Sequence, residues 1–362
     1  MSEKLKLEEF VEKTITGEWG TDLKENQIGT KVIRTADFNN DGTIEYENTV
    51  SRNIDNKKVI EKQLKYGDII VEKSGGTNKN PVGRVVFFDK EKETYLANNF
   101  TQIIRINKEY NSKYIFYNLM YKYRNGSTLT MFNKTTGIQN LQMKQFLNQK
   151  ITAVDNKMQS KIVRIFDLMN KIFNTRKKQI EKLDELIKSQ FVEMFENKNY
   201  EKLSGKELFS FSSGKFLEAS KRLENGIPVY GGNGVAWYTD EPLIDFNTIV
   251  IGRVGAYCGN VKLIKEPVWI TDNAIFIKQF KKDVYNIDFL YYMMELVDFS
   301  QFAQFSGQPK ITQKPLEEFN YIVPPIKLQN QFADIVKQID KQKFESMIKA
   351  KKEIEQIKKI IL

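Results

Sequence analysis

No histidine occurs among the 362 residues, and cysteine occurs once, as Cys258. Without histidine the chain lacks the commonest general base, the commonest transition-metal ligand and every Ser-His or Cys-His nucleophile. A lone thiol makes no internal disulfide and no thiolate zinc centre. No run reaches the roughly 18 apolar residues that a membrane span needs. The opening MSEKLKLEEFVEK has no apolar signal-peptide core, so the expected compartment is the cytoplasm. Also missing are a GxxxxGK[ST] phosphate loop, HExxH, CxxC and the Asp- or Asn-Pro-Pro-aromatic tetrapeptide of amino-methyltransferases, since Pro324-Pro325 follows Val323. An enzyme would be left with Asp, Glu, Lys and Tyr as its acid–base groups, which makes catalysis the weakest of the functional classes.

Two stretches resemble ligand loops without completing them. In DFNNDGTIEYEN (37–48), Asp37, Asn39, Asp41, Gly42 and Glu45 stand at calcium-loop positions, but the last position is Asn48 rather than a bidentate Glu, so a hairpin turn is expected. GGNGVA (231–236) opens no helix and is expected to be a turn, not a dinucleotide site. No metal and no cofactor are expected.

What the chain does have is charge: 56 Lys+Arg against 46 Asp+Glu, a net +10, which favours a polyanionic partner. With 41% hydrophobic residues it is a folding chain, and its length suggests about two domains.

The sequence also repeats itself. Displaced so that Gly137 falls on Gly307, residues 137–171 lie on 307–341 without a gap, with Lys144 on Lys314, Gln159 on Gln329 and Lys171 on Lys341. Upstream, YIFYNLM (114–120) falls on DFLYYMM (288–294), Asn99 on Asn273, GRVVF (83–87) on GNVKL (259–263), DIIV (68–71) on NTIV (247–250) and GTKV (29–32) on GIPV (226–229). The last pairing leaves an insertion in the first copy around 33–66. Each copy has short β-branched or aromatic runs between Gly, Asn, Asp and Pro turns, then a short helix, a Gly-containing loop and a long helix.

Both long helices carry one apolar stripe, through Ile162, Ile165, Met169, Ile172, Ile180, Leu183, Ile187, Phe191 and Met194, and through Phe332, Ile335, Ile339, Met347, Ala350, Ile354, Ile357 and Ile361. At 1.5 Å per residue each would be roughly 50 Å long, and a stripe of that length calls for a partner helix. The two helices are therefore expected to pack antiparallel, holding two basic heads apart in a pseudo-twofold dumbbell; the other packing available is of each helix on its own head.

The paired units, the phrases YGDIIVEKSGGTNKNPVGRVVFF and FNTIVIGRVGAYCGNVKLI, the YIFYNLM and FLYYMM helices, the loop glycines Gly137 and Gly307, and IVPPIKLQNQFADIV before a long helix together resemble the DNA-specificity subunit of type I restriction–modification systems. The likeness covers essentially the whole chain. It rests on the order of its motifs, occurring twice, rather than on any one of them. It departs at the first junction, where ITAVDNKMQ replaces IVPPIKLQ.

The resemblance implies an α+β fold: two tandem α/β target recognition domains, separated and joined by two long helices forming an antiparallel coiled coil. The expected divisions are 1–154, a first recognition domain; 155–197, the central helix; 198–326, the second recognition domain; and 327–362, the C-terminal helix. Each domain would read one half of a split double-stranded DNA target. The helices would set the gap and dock two methyltransferase subunits, joined by restriction/translocase subunits. The chain itself would have no catalytic residue. The rival reading is a non-enzymatic coiled-coil scaffold whose basic heads bind RNA or another polyanion.

A duplex reader needs cations for phosphates and planar or amide groups for base edges, carried on loops. In the first unit the candidates are Lys73, Ser74, Gly75, Thr77, Asn78, Lys79 and Arg84, with Lys134, Thr135, Thr136 and Gly137. In the second they are Tyr230, Gly232, Asn233, Arg253, Tyr257, Gly307, Gln308 and Lys310.

Overall fold

The computed structural model describes residues 3–135, 138–196, 198–304 and 307–361. The chain divides into two compact units, Met1–Ile172 and Phe173–Leu362. One uninterrupted helix, Asn156–Phe195, crosses that division, and a second long helix, Ile326–Ile361, closes the described chain.

In the first unit a four-stranded antiparallel sheet runs in the order Val11–Thr16, Thr101–Ile106, Ile69–Glu72, Val85–Phe87. Its inner strands are buried on both faces, so Ile69–Val71 and Ile103–Ile104 read as short apolar runs rather than as an alternation, and Gln102 and Arg105 are buried with them. The pleat sends neighbours to opposite sides. Ile69, Val71, Val85, Phe87 and Ile104 join one core with the head helix Ser112–Arg124, while Ile70, Val86 and Ile103 join another with Ile33, Phe38 and Tyr95. A smaller sheet centres on Thr30–Ile33, antiparallel to Val50–Arg52 and parallel to Tyr95–Ala97. A ribbon of Lys4–Lys6 with Lys150–Thr152 leads into the long helix.

The second unit repeats this plan. Its sheet order is Phe209–Ser213, Ala274–Phe280, Thr248–Gly252, Val261–Ile264. Ile249, Ile251 and Ile277 face the core of the head helix Ile287–Leu296, and Val250 and Phe276 face the other side. The smaller sheet centres on Ile227–Gly231, again with one antiparallel and one parallel neighbour, and the ribbon is Glu201–Ser204 with Asn320–Val323.

The pleat corrects two of the repeat pairings by one residue. Ile69, Ile70 and Val71 correspond to Ile249, Val250 and Ile251, because they pair with Phe87, Val86 and Val85 where the second unit pairs with Leu263, Lys262 and Val261. DIIV thus lies on TIVI rather than NTIV, and Phe100, not Asn99, corresponds to Asn273, since Lys73 donates its N–H to Phe100 O and Arg253 to Asn273 O. Similar apolar letters slide freely in a sequence, but a one-residue slip would turn every side chain to the wrong core.

The helix stripes serve both packings foreseen for them. Val163 and Ile162 join the first head's core, and Phe332, Val336 and Ile339 join the second's. Within the second unit the two helices also run antiparallel. Arg176 pairs with Glu353 at 2.9 Å, Ser346 Oγ donates to Gln179 Oε1 at 3.3 Å, Lys343 pairs with Asp184 at 2.6 Å, and Phe191 and Phe195 meet Phe332. Burial works against the Lys343 ammonium, but Asp184 and Asp340 outweigh it and hold its pKa above the ordinary lysine value. No helix among the described residues is long and apolar enough to cross a membrane.

The head helices start alike. Asn111 and Asn286 cap them, each side-chain oxygen accepting two backbone N–H groups of the first turn. Both caps are tied to the long helix by a buried glutamine. Gln159 Oε1 accepts the Asn111 N–H at 2.9 Å, and Gln329 Oε1 accepts the Asn286 N–H at 2.9 Å.

Candidate nucleic-acid interface

In the first head, the stretch after the central strand and the hairpin before the long helix form a single surface. Ser74–Gly75 pairs with Ile138–Leu141, which pairs in turn with Phe132–Thr135. The Ser74 hydroxyl donates to Asn140 Oδ1 at 2.7 Å. Buried Gln139 locks the loop from beneath: its Oε1 accepts the Val82 N–H at 3.1 Å, and its Nε2 donates to Thr77 O at 3.4 Å. Thr77 and Asn80 close a turn on each other, Thr77 N–H donating to Asn80 O at 2.7 Å and Asn80 N–H to Thr77 Oγ1 at 3.0 Å. Thr77, Asn78 and Lys79 are displayed at its exposed tip. Gly76 has φ +58°, and a Cβ there would stand 2.8 Å from Val82 N, so this turn requires glycine.

Lys73 sits half-buried at the root of the loop, where burial and the nearby Lys62 lower its pKa. Of the hairpin residues proposed from sequence, Thr136 and Gly137 lie outside the described residues, as do the side chains of Lys134 and Thr135. The hairpin also carries Asn133, which the NKTTG stretch marks in the sequence, and the further amides Asn140 and Gln142. Gln142 Nε2 donates to Asn133 Oδ1 at 2.8 Å, and Asn133 and Asn140 are exposed. The polar residues of IQNLQ were the only sequence signal for Asn140 and Gln142.

Arg84 departs from its expected role. Its side chain is 12% exposed and fully engaged: Nε donates to Glu72 Oε2 at 3.0 Å, Nη1 to Phe38 O at 3.1 Å and Nη2 to Thr35 O at 2.7 Å. It clamps the first copy's insertion onto the sheet instead of facing a ligand. The calcium-like loop in that insertion is a turn, with the buried Asp37 carboxylate held by Arg34 and Asp41 Oδ1 accepting from Thr43.

In the second head the corresponding surface is held by isolated bridges among the described residues. Arg253 takes the place of Lys73: Ile311 N–H donates to Arg253 O as Leu141 N–H donates to Lys73 O. Val254 and Gln304 each bridge to Lys310, and Gly255 N–H donates to Pro309 O at 2.9 Å. A Cβ on Gly232 would stand 3.3 Å from Asn273 O and 3.6 Å from Val254 O, and one on Gly255 3.0 Å from Gln308 Nε2. Gly232, Arg253, Gln308 and Lys310 are therefore neighbours. Arg253 Nη1 donates to Ser213 Oγ at 3.3 Å and Asp272 O at 3.4 Å, while its buried Nε has no acceptor among the described residues.

Tyr257 is 45% exposed beside this cluster in sequence, Asn233 is exposed at the tip of the Gly231–Gly234 turn, and Gly307 is exposed with φ +119°. Tyr230 differs: it is half-buried against the Val268 and Ile270 core, and burial raises its hydroxyl pKa, so it supports the hairpin from inside. Cys258 is buried and its thiol reaches Arg253 O at 3.4 Å.

Two surfaces, each at the same place in a repeated fold, display cations and amides on loops and offer no metal cluster among the described residues. The family model for the type I restriction modification DNA specificity domain matches residues 2–184 and again 197–356. The chain is 30% identical over 139 residues to the type I restriction enzyme EcoprrI specificity subunit of Escherichia coli, covering 37% of this chain and 34% of that one. It is 26% identical over 317 residues to the MjaVIII specificity subunit of Methanocaldococcus jannaschii, covering 75% and 73%. A crystal structure of the S subunit of a type I restriction-modification system from M. genitalium shares the fold, with a TM-score of 0.63 at 18% identity over 99% of this chain and 94% of that one. With both repeats matched, the chain belongs to the type I restriction modification DNA specificity family and carries its domain twice.

Proposed function

We propose that the chain is the recognition subunit of a type I restriction–modification complex, each head reading one half of a bipartite DNA target. The observation that carries this is the correspondence of Lys73 and Arg253. The two heads have diverged in loops and chemistry, yet each keeps a cation at the end of its central strand, tied to the loop before the long helix. Lys79 and Lys310 would hold phosphates, and Thr77, Asn78, Asn140 and Gln308 would meet base edges. The recognition domains would span 1–154 and 198–326.

The long helices would set the distance between half-sites and dock two methyltransferase subunits, with restriction/translocase subunits joining them. Base flipping and methyl transfer would belong to the methyltransferase, which this chain would place. The chain itself would be non-catalytic.

Methylome sequencing of cells with and without the gene tests the reading. Loss of one bipartite adenine-methylation motif supports it, and an unchanged methylome refutes it.

A further inference from the structure

The first junction lacks the Pro324-Pro325 pair of the second, yet the two heads meet their long helices through the same geometry. Gln159 and Gln329 occupy equivalent positions near the start of each helix and are 1% and 0% exposed. Each oxygen accepts the backbone N–H of the residue that caps the head helix, Asn111 or Asn286. Each amide nitrogen donates to the carbonyl just before the long helix, to Val154 O at 2.8 Å or Pro324 O at 2.8 Å, and Gln329 also reaches Val284 O at 2.9 Å.

A second tie stands further along each helix. Tyr117 donates its hydroxyl to Asp167 at 2.5 Å and accepts from Asn170 at 3.2 Å, and Tyr292 donates to Asp340 at 2.8 Å. Two ties along one helix hold the head helix against both sliding and rotation.

A buried amide is costly unless all its groups are paired, and an apolar residue of similar size would fill the same space. What the amide adds is direction. Because the prolines differ between the junctions and the glutamine does not, the glutamine is the shared device.

We propose that Gln159 and Gln329 are positioning residues that fix the angle of each head on its long helix, and through it the gap between the two DNA half-sites. This rests on the reading of the chain as a two-headed DNA-recognition subunit. One added base pair moves a half-site about 3.4 Å along the duplex and about 35° around it, so a loosened mount should show as tolerance of wrong gaps.

The test uses cells carrying the complete system and a plasmid library with both half-sites at gaps lengthened or shortened by one or two base pairs. Methylation should fall about tenfold or more at a one-base-pair error with the native chain, the factor that a typical coupling of about 1.4 kcal/mol represents. Gln329→Met, and separately Gln159→Met, should cut that discrimination to about threefold or less while the required half-site bases stay the same. In the purified full chain, amide exchange at Asn286 or Asn111 should accelerate in the matching variant while the central strands stay protected.

Unchanged gap preference in both variants overturns the proposal. So does a relaxed half-site sequence, which would put the glutamine in base reading, or global unfolding of both variants, which would put it in folding. If methylation is lost outright, the proposal stands only where exchange at the cap accelerates with the strands still protected, and otherwise falls. A native chain that directs no bipartite methylation would sink the functional reading instead, leaving amide exchange to judge the mount.

Discussion

The two heads share a core plan and differ in how their recognition surfaces are held. In the first, a three-stranded sheet carries the loop and hairpin together, and an insertion is clamped by the Arg84–Glu72 pair. In the second, isolated bridges at Val254, Gln304 and Lys310 do the same work, and Asn260 and Gly252 stand where Arg84 and Glu72 stand in the first. Gly252 leaves no room for an acid, since a Cβ would lie 2.2 Å from Tyr257 O. The difference teaches that the duplicated core tolerates either a buried charge clamp or a close backbone approach at one position, and that the choice follows the loop it must support.

The comparison breaks hardest at the clamp. Arg84→Ala leaves Glu72 buried without its cation and the Phe38 carbonyl without its side-chain donor, a loss of about 3–5 kcal/mol. Asn260→Ala, its counterpart, should cost about 1 kcal/mol or less. Urea unfolding followed by hydrogen exchange should show the first head destabilised in one variant and the second nearly intact in the other.

At the recognition surfaces the expected effects are smaller. Arg253→Ala should cost about 1–3 kcal/mol of DNA binding and relax choice at one position of the second half-site only. Lys310→Ala should weaken binding on all sequences alike and lower the salt slope by about one. Titrations at several salt concentrations separate the two, and equal slopes for all three proteins would remove Lys310 from the phosphate contacts.

A finer contrast lies at the ribbons. The equivalent carbonyls of Thr152 and Ile322 are reached by different tyrosines, Tyr114 from within its head helix and Tyr285 from just before the next. Tyr114→Phe and Tyr285→Phe should each cost about 0.5–1.5 kcal/mol in their own head, whereas Tyr110→Phe, the counterpart of Tyr285, should cost less.

The smallest effect is one of pH. Burial raises the Glu72 pKa above the ordinary 4.5, against the opposing pull of Arg84. A raised carboxyl pKa means that the folded chain keeps a proton the unfolded chain has released, so stability falls as pH rises between the two values. The stability of the native chain relative to Glu72→Gln should therefore decline as pH rises above the ordinary carboxylate range, as read from urea midpoints. A difference that grows with pH would show the ion pair outweighing burial.

The repeat, the helix stripes, the β-branched runs and the glycine turns were legible in the sequence, because each reports a local periodicity or a local dihedral need. The candidate loops were legible as groups: Lys73 and Arg253, Gln308 and Lys310 do stand where the loops converge. The inward commitment of Arg84 was not, since Glu72, Thr35 and Phe38 meet it only when the insertion folds back. Nor was the packing of half-buried Tyr230 against the core, since it looked like a loop residue beside two glycines.

By itself, then, the sequence determined that this is a duplicated α+β chain with two long amphipathic helices and a family likeness running its length. Only the tertiary structure decided the one-residue register of the central strands, the partner of each buried charge and the meeting of Gln159 and Gln329 with the caps of the head helices. Those depend on hydrogen bonds between groups tens of residues apart, where pleat and packing select one arrangement among several that similar letters would allow.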